Sequence, residues 1–269
     1  MRILRYKRAI TVIVSVGLLL AFGTIGSIAL AYDSVDYFPL EIDNSWDYIG
    51  CEGSGCNEDD LASTWSVNKT VISTQEKLIN GVLTAVIQTL DGDEEYFTND
   101  DAGLRRHGYT LTDFPSGNET CGDATIFVTL DPPITYANPV MILGEPADNN
   151  RDADNPGSAS FKVKCAGGTV VPFNSRYHST SVPQAKETVR GPLGTFRAIR
   201  VVTTIVFSDK DPYGNDLPDP IQTNWLVKGL GPVKYIDELG GNEYIQELDG
   251  TNLPIPRAMP WIPLLLLGD

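Results

Sequence analysis

Hydrophobic and polar residues alternate along most of the chain after residue 45. Residues 62–71 and 82–90 carry larger apolar side chains at nearly every second position, with serine, threonine or glutamine between them. A period of two is the pattern of a β-strand with one buried face. Asp91-Gly92-Asp93 follows the second run and favours a tight turn, so residues 95–98 are expected to return antiparallel to it.

The same alternation recurs to the end of the chain, and no stretch after the N-terminal segment shows helical periodicity. Further predicted strands cover residues 104–111, 125–130, 160–164, 169–173, 195–207, 222–227, 233–237 and 244–248. Short connections between them predict an all-β fold, an antiparallel meander of about 10–13 strands. Because a sheet of that size twists and curls, we expect a strongly curved sheet or half-open barrel, with a two-sheet sandwich as the alternative.

Two segments depart from this pattern. Residues 131–157 combine several prolines with a run of aspartates and asparagines, which predicts one long loop. Residues 253–269 form a tail rich in proline and leucine that is too short and too interrupted to span a membrane. We expect the tail to cover a sheet edge or barrel mouth, or alternatively to be a docking peptide. Residues 32–252 are therefore predicted to form a single β domain.

The N-terminal segment has the features of an export signal. Arg2, Arg5, Lys7 and Arg8 precede an acid-free apolar run that ends in Ala29-Leu30-Ala31. Basic residues, an apolar stretch and small residues at the end are typical of a signal peptide, here residues 1–31. The run is also long enough to remain as a membrane anchor. Either outcome predicts an extracytoplasmic protein, which could be periplasmic, attached to the cell surface or secreted.

The four cysteines favour two disulfides, because an even set in an exported chain is usually oxidised. We expect Cys51 to pair with Cys56 across a glycine-containing turn, and Cys121 to pair with Cys165 around the long loop. Zinc is disfavoured, since the spacing of the first pair has no second pair to match it.

The charge balance excludes one class of partner. The chain has a formal net charge of −15 at pH 7. Removal of residues 1–31 would make it more negative, because that segment carries four basic residues and no acidic one. A protein this acidic gains nothing electrostatically near the phosphates of nucleic acid or an anionic membrane surface.

Acidic residues cluster in the predicted connections, and one cluster has the spacing of a calcium loop. Asp148, Asn150, Asp152 and Asp154 occur at every second position. Calcium prefers such oxygen ligands, although the glycine and glutamate of a standard calcium loop are missing. The alternative is a solvated acidic turn, since aspartate and asparagine are common in turns. No motif for another cofactor occurs.

Catalytic motifs are equally scarce. The chain has two histidines, His107 and His178, and both lie among polar or basic neighbours, which predicts surface positions. Neither a zinc-protease helix motif nor a serine-hydrolase elbow occurs. We therefore assign no catalytic residue, and the sequence favours a protein that is not an enzyme.

Three short motifs occur in a fixed order along the chain. They are Phe38-Pro39-Leu40 followed by Trp46 and Tyr48, then Gly194-Thr195-Phe196, and then a run in which Trp225, Lys228, Gly229, Gly231 and Val233 are spaced W-x-x-K-G-x-G-x-V. Together they resemble motifs of a broad, largely uncharacterised group of bacterial secreted and lipoprotein-type β proteins. The resemblance implies a curved antiparallel sheet similar to the open barrels of periplasmic lipoprotein carriers. It implies no catalytic residues.

These observations favour a secreted or periplasmic envelope protein that binds a lipid-like ligand or a protein partner on its curved sheet. Two alternatives stay open. One is a secreted hydrolase that uses a pair of carboxylates, because acidic residues are abundant. The other is a calcium-stabilised surface or matrix module.

Overall fold

The computed structural model describes residues 31–53, 56, 65–115, 121–147, 154–212, 214, 216–217, 219–239 and 242–256. Within these residues the chain is almost entirely β, with one short 3₁₀ helix, η1 (Ser34–Tyr37). None of the helices in this part of the chain has the length and hydrophobicity of a membrane span.

Successive strands run antiparallel along the chain. They are β1 (Ala31–Asp33), β2 (Ser45–Glu52), β3 (Trp65–Ile79), β4 (Val82–Thr89), β5 (Glu94–Asp100), β6 (Gly103–Pro115), β7 (Asp123–Ala137), β8 (Val140–Ile142), β9 (Gly157–Cys165), β10 (Val170–Gly191), β11 (Gly194–Phe207), β12 (Ile221–Val227), β13 (Gly231–Leu239) and β14 (Asn242–Thr251).

Twelve of these strands form one closed barrel, and β1 and β8 form a separate two-stranded sheet. The all-β antiparallel meander predicted from the sequence is confirmed, and its sheet curls into full closure. The first and last barrel strands close it, because β14 pairs with β2 in a register that sets Leu248 opposite Tyr48. Closure pairs the backbone groups that an open sheet would leave exposed at its edges.

The structure differs from the predicted loop over residues 131–157. Strand β7 continues through Asp131 to Ala137, and β8 pairs with β1 so that Met141 lies opposite Tyr32. Two of the prolines that suggested a loop, Pro132 and Pro133, lie where β7 pairs irregularly with β6. Strand β10 is also much longer than predicted, because it continues past residue 173 and absorbs Pro183 at an irregular register.

Two disulfides are present, and they join the pairs that the sequence favours. Cys51 on β2 is linked to Cys56, five residues further along the chain. Cys121 is linked to Cys165, so the start of β7 is tied to the end of β9. By loop-closure entropy, the longer loop, with a sequence separation of 44, contributes more to stability.

The core lies inside the barrel, where alternate residues of each strand point inward. One end of the barrel, called here the closed end, is covered by residues 34–44. Phe38 packs on Phe97 with ring centroids 5.2 Å apart, and Asn99 Nδ2 donates to the carbonyl of Phe38 at 2.9 Å. Trp46 Nε1 donates to the carbonyl of Leu230 at 2.7 Å.

Candidate functional site

A cavity of about 60 Å³ lies inside the barrel. An internal space of that size holds about four water molecules or a small polar ligand. Apolar side chains form part of its wall, among them Phe38, Trp46, Ile87, Phe97 and Leu226. The rest of the wall is polar and includes Lys69, Glu95, Arg106, Gln222, Asn224 and Tyr235.

Glu95 is the centre of the polar wall. Its Oε2 lies 3.3 Å from Lys69 Nζ, and its Oε1 lies 3.0 Å from Arg106 Nη2. The three side chains come from β3, β5 and β6, and strand alternation brings them to the same inner face. One carboxylate therefore serves two cations inside the barrel.

Arg106 is held by several groups and is only 8% exposed. Its Nη1 donates to the Tyr136 hydroxyl at 3.4 Å, and its guanidinium lies 4.5 Å from the centroid of the Tyr109 ring. Its Nε, although buried, has no hydrogen-bond partner among the described residues. An unpaired buried N–H is unusual and costs stability unless water or a ligand satisfies it.

A chain of hydrogen bonds crosses the barrel from Arg106. The Tyr136 hydroxyl donates to Gln222 Oε1 at 2.5 Å, and Gln222 Nε2 donates to Asp237 Oδ2 at 3.1 Å. The Tyr235 hydroxyl donates to the same Asp237 oxygen at 2.7 Å. Buried networks of this kind fix side-chain positions when each member has a partner.

The electrostatics keep Glu95 ionised. Burial alone would raise the pKa of Glu95, but Lys69 and Arg106 outweigh that effect and hold the pKa below its usual value. Burial raises the pKa values of Tyr136 and Tyr235, so both hydroxyls remain protonated and able to donate. A general acid needs a raised pKa, and Glu95 has the opposite shift.

Two features of the cavity wall favour a bound ligand: its charges are unbalanced, and one of its amides makes no hydrogen bond with the described residues. The charged groups that line it are Lys69, Arg106 and Glu95, which gives one positive charge in excess. The side-chain amide of Asn224 also lines the cavity and has no hydrogen-bond partner within the described part of the chain. The wall can therefore supply hydrogen bonds to a guest.

His107 is not on the surface, so that prediction is wrong. It is 2% exposed, and its Nε2 lies 3.0 Å from Thr98 Oγ1. Burial first, and then the charge of Arg105, lower the pKa of His107 to about 4. Its basic neighbours suggested a solvated stretch, but Arg105 pairs with Asp100 at 2.8 Å and Arg106 points into the barrel.

His178 is partly exposed and contacts a hydroxyl. Its Nε2 lies 2.8 Å from Ser208 Oγ. The nearest acid in sequence to this serine, Asp209, is bound instead by Arg176 at 2.9 Å. His178 Nδ1 has no partner among the residues described. The arrangement lacks the group that orients the imidazole in a catalytic triad.

The calcium site over residues 148–154 stays a prediction. Asp148, Asn150 and Asp152 lie outside the described residues, and Asp154 alone of the four lies within them. Among the residues that the structure covers, no group of three or more histidine, cysteine, aspartate or glutamate side chains could hold a metal ion.

Comparison with known proteins gives little. No family model matches the chain, and no curated protein matches it. Two solved structures are similar in part, one described as a lipoprotein from Parabacteroides distasonis and one as an exported protein with a YmcC-like fold from Bacteroides fragilis. Each has 14% identity and a TM-score of 0.38; the aligned regions cover 82% of this chain and 100% of the first structure, and 80% and 98% for the second. These values are too low to support an argument.

Sequence reasoning missed the inner polar residues, although a signal was present. Lys69 stands between Val67 and Val71 at positions that share one face of β3. Glu95 is followed at the same spacing by Phe97, and Leu104 by Arg106. A charged residue in phase with the apolar face of a strand marks an interior charge.

Proposed function

We propose that this protein is an extracytoplasmic binding protein that takes up a small ligand inside its barrel. The observation that carries the proposal is the cavity, whose wall combines apolar side chains with polar groups that lack partners. Ligand sites in proteins have this character, a mainly apolar surface with a few placed polar groups.

The location in this proposal is supported by two features of the chain. Residues 1–31 have the composition of an export signal. The two disulfides are of the kind that persists in oxidising compartments outside the cytoplasm.

The size of the cavity narrows the ligand. Sites for drug-sized or lipid ligands enclose roughly 300–1,000 Å³, whereas this space is about 60 Å³. Away from the cavity, the core is filled by large side chains such as Leu130, Tyr177 and Ile199, which are at most 2% exposed. The proposal therefore replaces the lipid-like ligand expected from the sequence with a smaller molecule.

The proposal assigns binding rather than catalysis to the site. Glu95 stays ionised between two cations, and among the described residues it is the carboxylate that lines the cavity. Asp237 lies behind Gln222 and Tyr235, which bind it.

A pair of neighbouring substitutions tests the proposal. Asn224→Leu places an apolar side chain in the cavity, and Thr223→Leu makes the same kind of change one residue earlier, on the other face of β12. Thermal unfolding is followed with short carboxylates, amides and amines as added ligands, because a ligand that binds the folded state raises the Tm.

We expect at least one of these compounds to raise the Tm of the wild type and of Thr223→Leu, and not that of Asn224→Leu. The proposal fails if no compound stabilises the wild type, or if Asn224→Leu responds as the wild type does. Circular dichroism of both variants checks that the barrel has formed.

A further inference from the structure

The charges that line the cavity are not balanced. Lys69 and Arg106 share the single carboxylate of Glu95, and the cavity wall includes no second acidic side chain among the described residues. This local excess of positive charge occurs in a chain whose formal net charge is −15. The carboxylate of Asp237 lies behind Gln222 and Tyr235, which bind it, and does not line the cavity. The groups that a ligand would contact therefore carry one positive charge in excess, which favours a ligand of negative charge.

Hydrogen-bond donors are available at the same wall. The Lys69 ammonium has three N–H donors, and among the described residues its one hydrogen-bond partner is Glu95. Its side chain is 23% exposed, so a guest can reach it. The Asn224 amide adds two more N–H groups that have no partner in the described structure. Charge-assisted hydrogen bonds from a lysine to a carboxylate are among the stronger ones in proteins.

Apolar side chains complete the wall on the other sides. Ile87, Phe97 and Leu226 line the cavity and offer no polar atoms from their side chains. A guest that satisfies the whole wall therefore has an anionic head and a short apolar tail, and the size of the cavity excludes a long tail.

We infer that the ligand is a short-chain carboxylate whose head group binds Lys69 and Asn224 and whose tail contacts Ile87 and Leu226. This inference rests on the proposed function, because it specifies the chemistry of the guest at the same site.

Three probes of nearly equal shape separate charge from size. They are butyrate, butyramide and butylammonium, which carry a negative charge, no charge and a positive charge at pH 7. Isothermal titration of the full folded chain measures their affinities. We expect butyrate to bind at least tenfold more tightly than butyramide, and butylammonium to bind more weakly than either. Dodecanoate serves as a fourth probe, and we expect weaker binding than butyrate because the cavity is too small for its chain.

The chain offers a matched pair of lysines for the test. Lys69 and Lys77 are both on β3, and each pairs with a glutamate, Glu95 and Glu94 respectively. We expect Lys69→Met to weaken butyrate binding at least tenfold, Lys69→Arg to restore most of it, and Lys77→Met to leave it unchanged. Lys69→Arg keeps the positive charge, so restored butyrate binding in this variant would show that the loss in Lys69→Met comes from the missing charge and not from altered packing.

The outcomes separate this inference from the proposed function. Equal affinity for the three short probes, with all binding lost in Asn224→Leu, overturns the carboxylate inference and leaves the binding site standing. Tighter binding of butylammonium or of dodecanoate than of butyrate overturns the inference in the same way, as does unchanged butyrate affinity in Lys69→Met. Failure of all four probes to bind overturns both.

Discussion

Two lysine–glutamate pairs lie on opposite sides of one stretch of barrel wall. Inside, Lys69 pairs with Glu95 at 3.3 Å, and its Nζ lies 5.8 Å from the Tyr235 ring centroid. Outside, Lys77 pairs with Glu94 at 3.2 Å, and its Nζ lies 5.0 Å from the Tyr96 ring centroid. The same two strands supply both pairs, and the local chemistry is nearly identical.

The two pairs differ in the other groups that bind each glutamate. Glu95 also binds Arg106, whereas Glu94 accepts hydrogen bonds from the neutral Tyr96 and Gln88. The outer pair is balanced, and the Lys77 side chain is 44% exposed. The inner group has one cation too many and borders a cavity. The comparison teaches that an ion pair indicates a binding site when its charges are unequal and enclosed, and that a balanced pair on the surface indicates only solubility.

The largest effect should come from removing the enclosed guanidinium. Arg106→Met takes one cation from Glu95, a donor from Tyr136 and the cation over the Tyr109 ring. Breaking a buried pair costs about 3 kcal/mol or more of unfolding free energy. Urea denaturation at pH 7 measures it. A loss below about 1 kcal/mol would mean that the inner group is as weakly coupled as the outer one.

Glu95→Gln should have the next largest effect. It leaves Lys69 and Arg106 facing each other without a carboxylate, with an expected loss of about 2 kcal/mol at pH 7. The lowered pKa of Glu95 means that its stabilisation is present above the unfolded carboxyl value of about 4.5 and is lost as the pH falls. Urea denaturation at pH 7 and pH 4 should show a smaller acid-induced loss in the variant. An unchanged pH dependence contradicts the prediction.

The buried imidazole of His107, on the outer side of the same barrel wall, should make the stability of the protein depend on pH. Its pKa is lowered from 6.5 to about 4, so the unfolded chain binds a proton in that range and the folded chain does not. Stability therefore falls as the pH drops from about 6.5 to about 4. In His107→Gln, the stability difference between pH 7 and pH 4 should shrink by on the order of 2 kcal/mol. Equal differences in the two proteins would show that the imidazole titrates as if exposed.

The two lysine variants should have the smallest effects on stability. Lys69→Met leaves Glu95 paired with Arg106, so we expect a loss of about 1 kcal/mol. Lys77→Met removes a half-exposed partner and should cost about 0.5 kcal/mol or less. Both values come from thermal unfolding under identical conditions. A larger loss for Lys77→Met than for Lys69→Met would reverse the comparison.

Much of the fold could be predicted from the sequence, because alternation is a local signal. The runs that predict β4, β11 and β12 match the observed strands closely. Barrel closure could not be predicted, since it depends on pairing between Tyr48 and Leu248, two hundred residues apart in the chain. The predicted run over residues 169–173 covers only the start of β10, and the strand continues through Pro183, where its pairing with β11 shifts register.

The candidate site was harder to predict than the fold. The acids that cluster in the predicted connections favoured a site at Asp148, Asn150, Asp152 and Asp154. The first three of these residues lie outside the described part of the chain. The charged residues that line the cavity are Lys69, Glu95 and Arg106, and each lies in a predicted strand in phase with apolar residues of the same face. Their roles depend on which three strands become neighbours, and a strand pattern does not contain that information.

Methyl-resolved NMR of the protein with butyrate tests the central claim most directly, because it locates the guest. Ile87 and Leu83 are on the same strand; Ile87 lines the cavity, whereas Leu83 is 50% exposed and is not among the lining residues. The account predicts intermolecular contacts from butyrate to the methyl groups of Ile87 and Leu226, and none to those of Leu83. Contacts to Leu83 alone, or none to Ile87 and Leu226 at saturating butyrate, would contradict it.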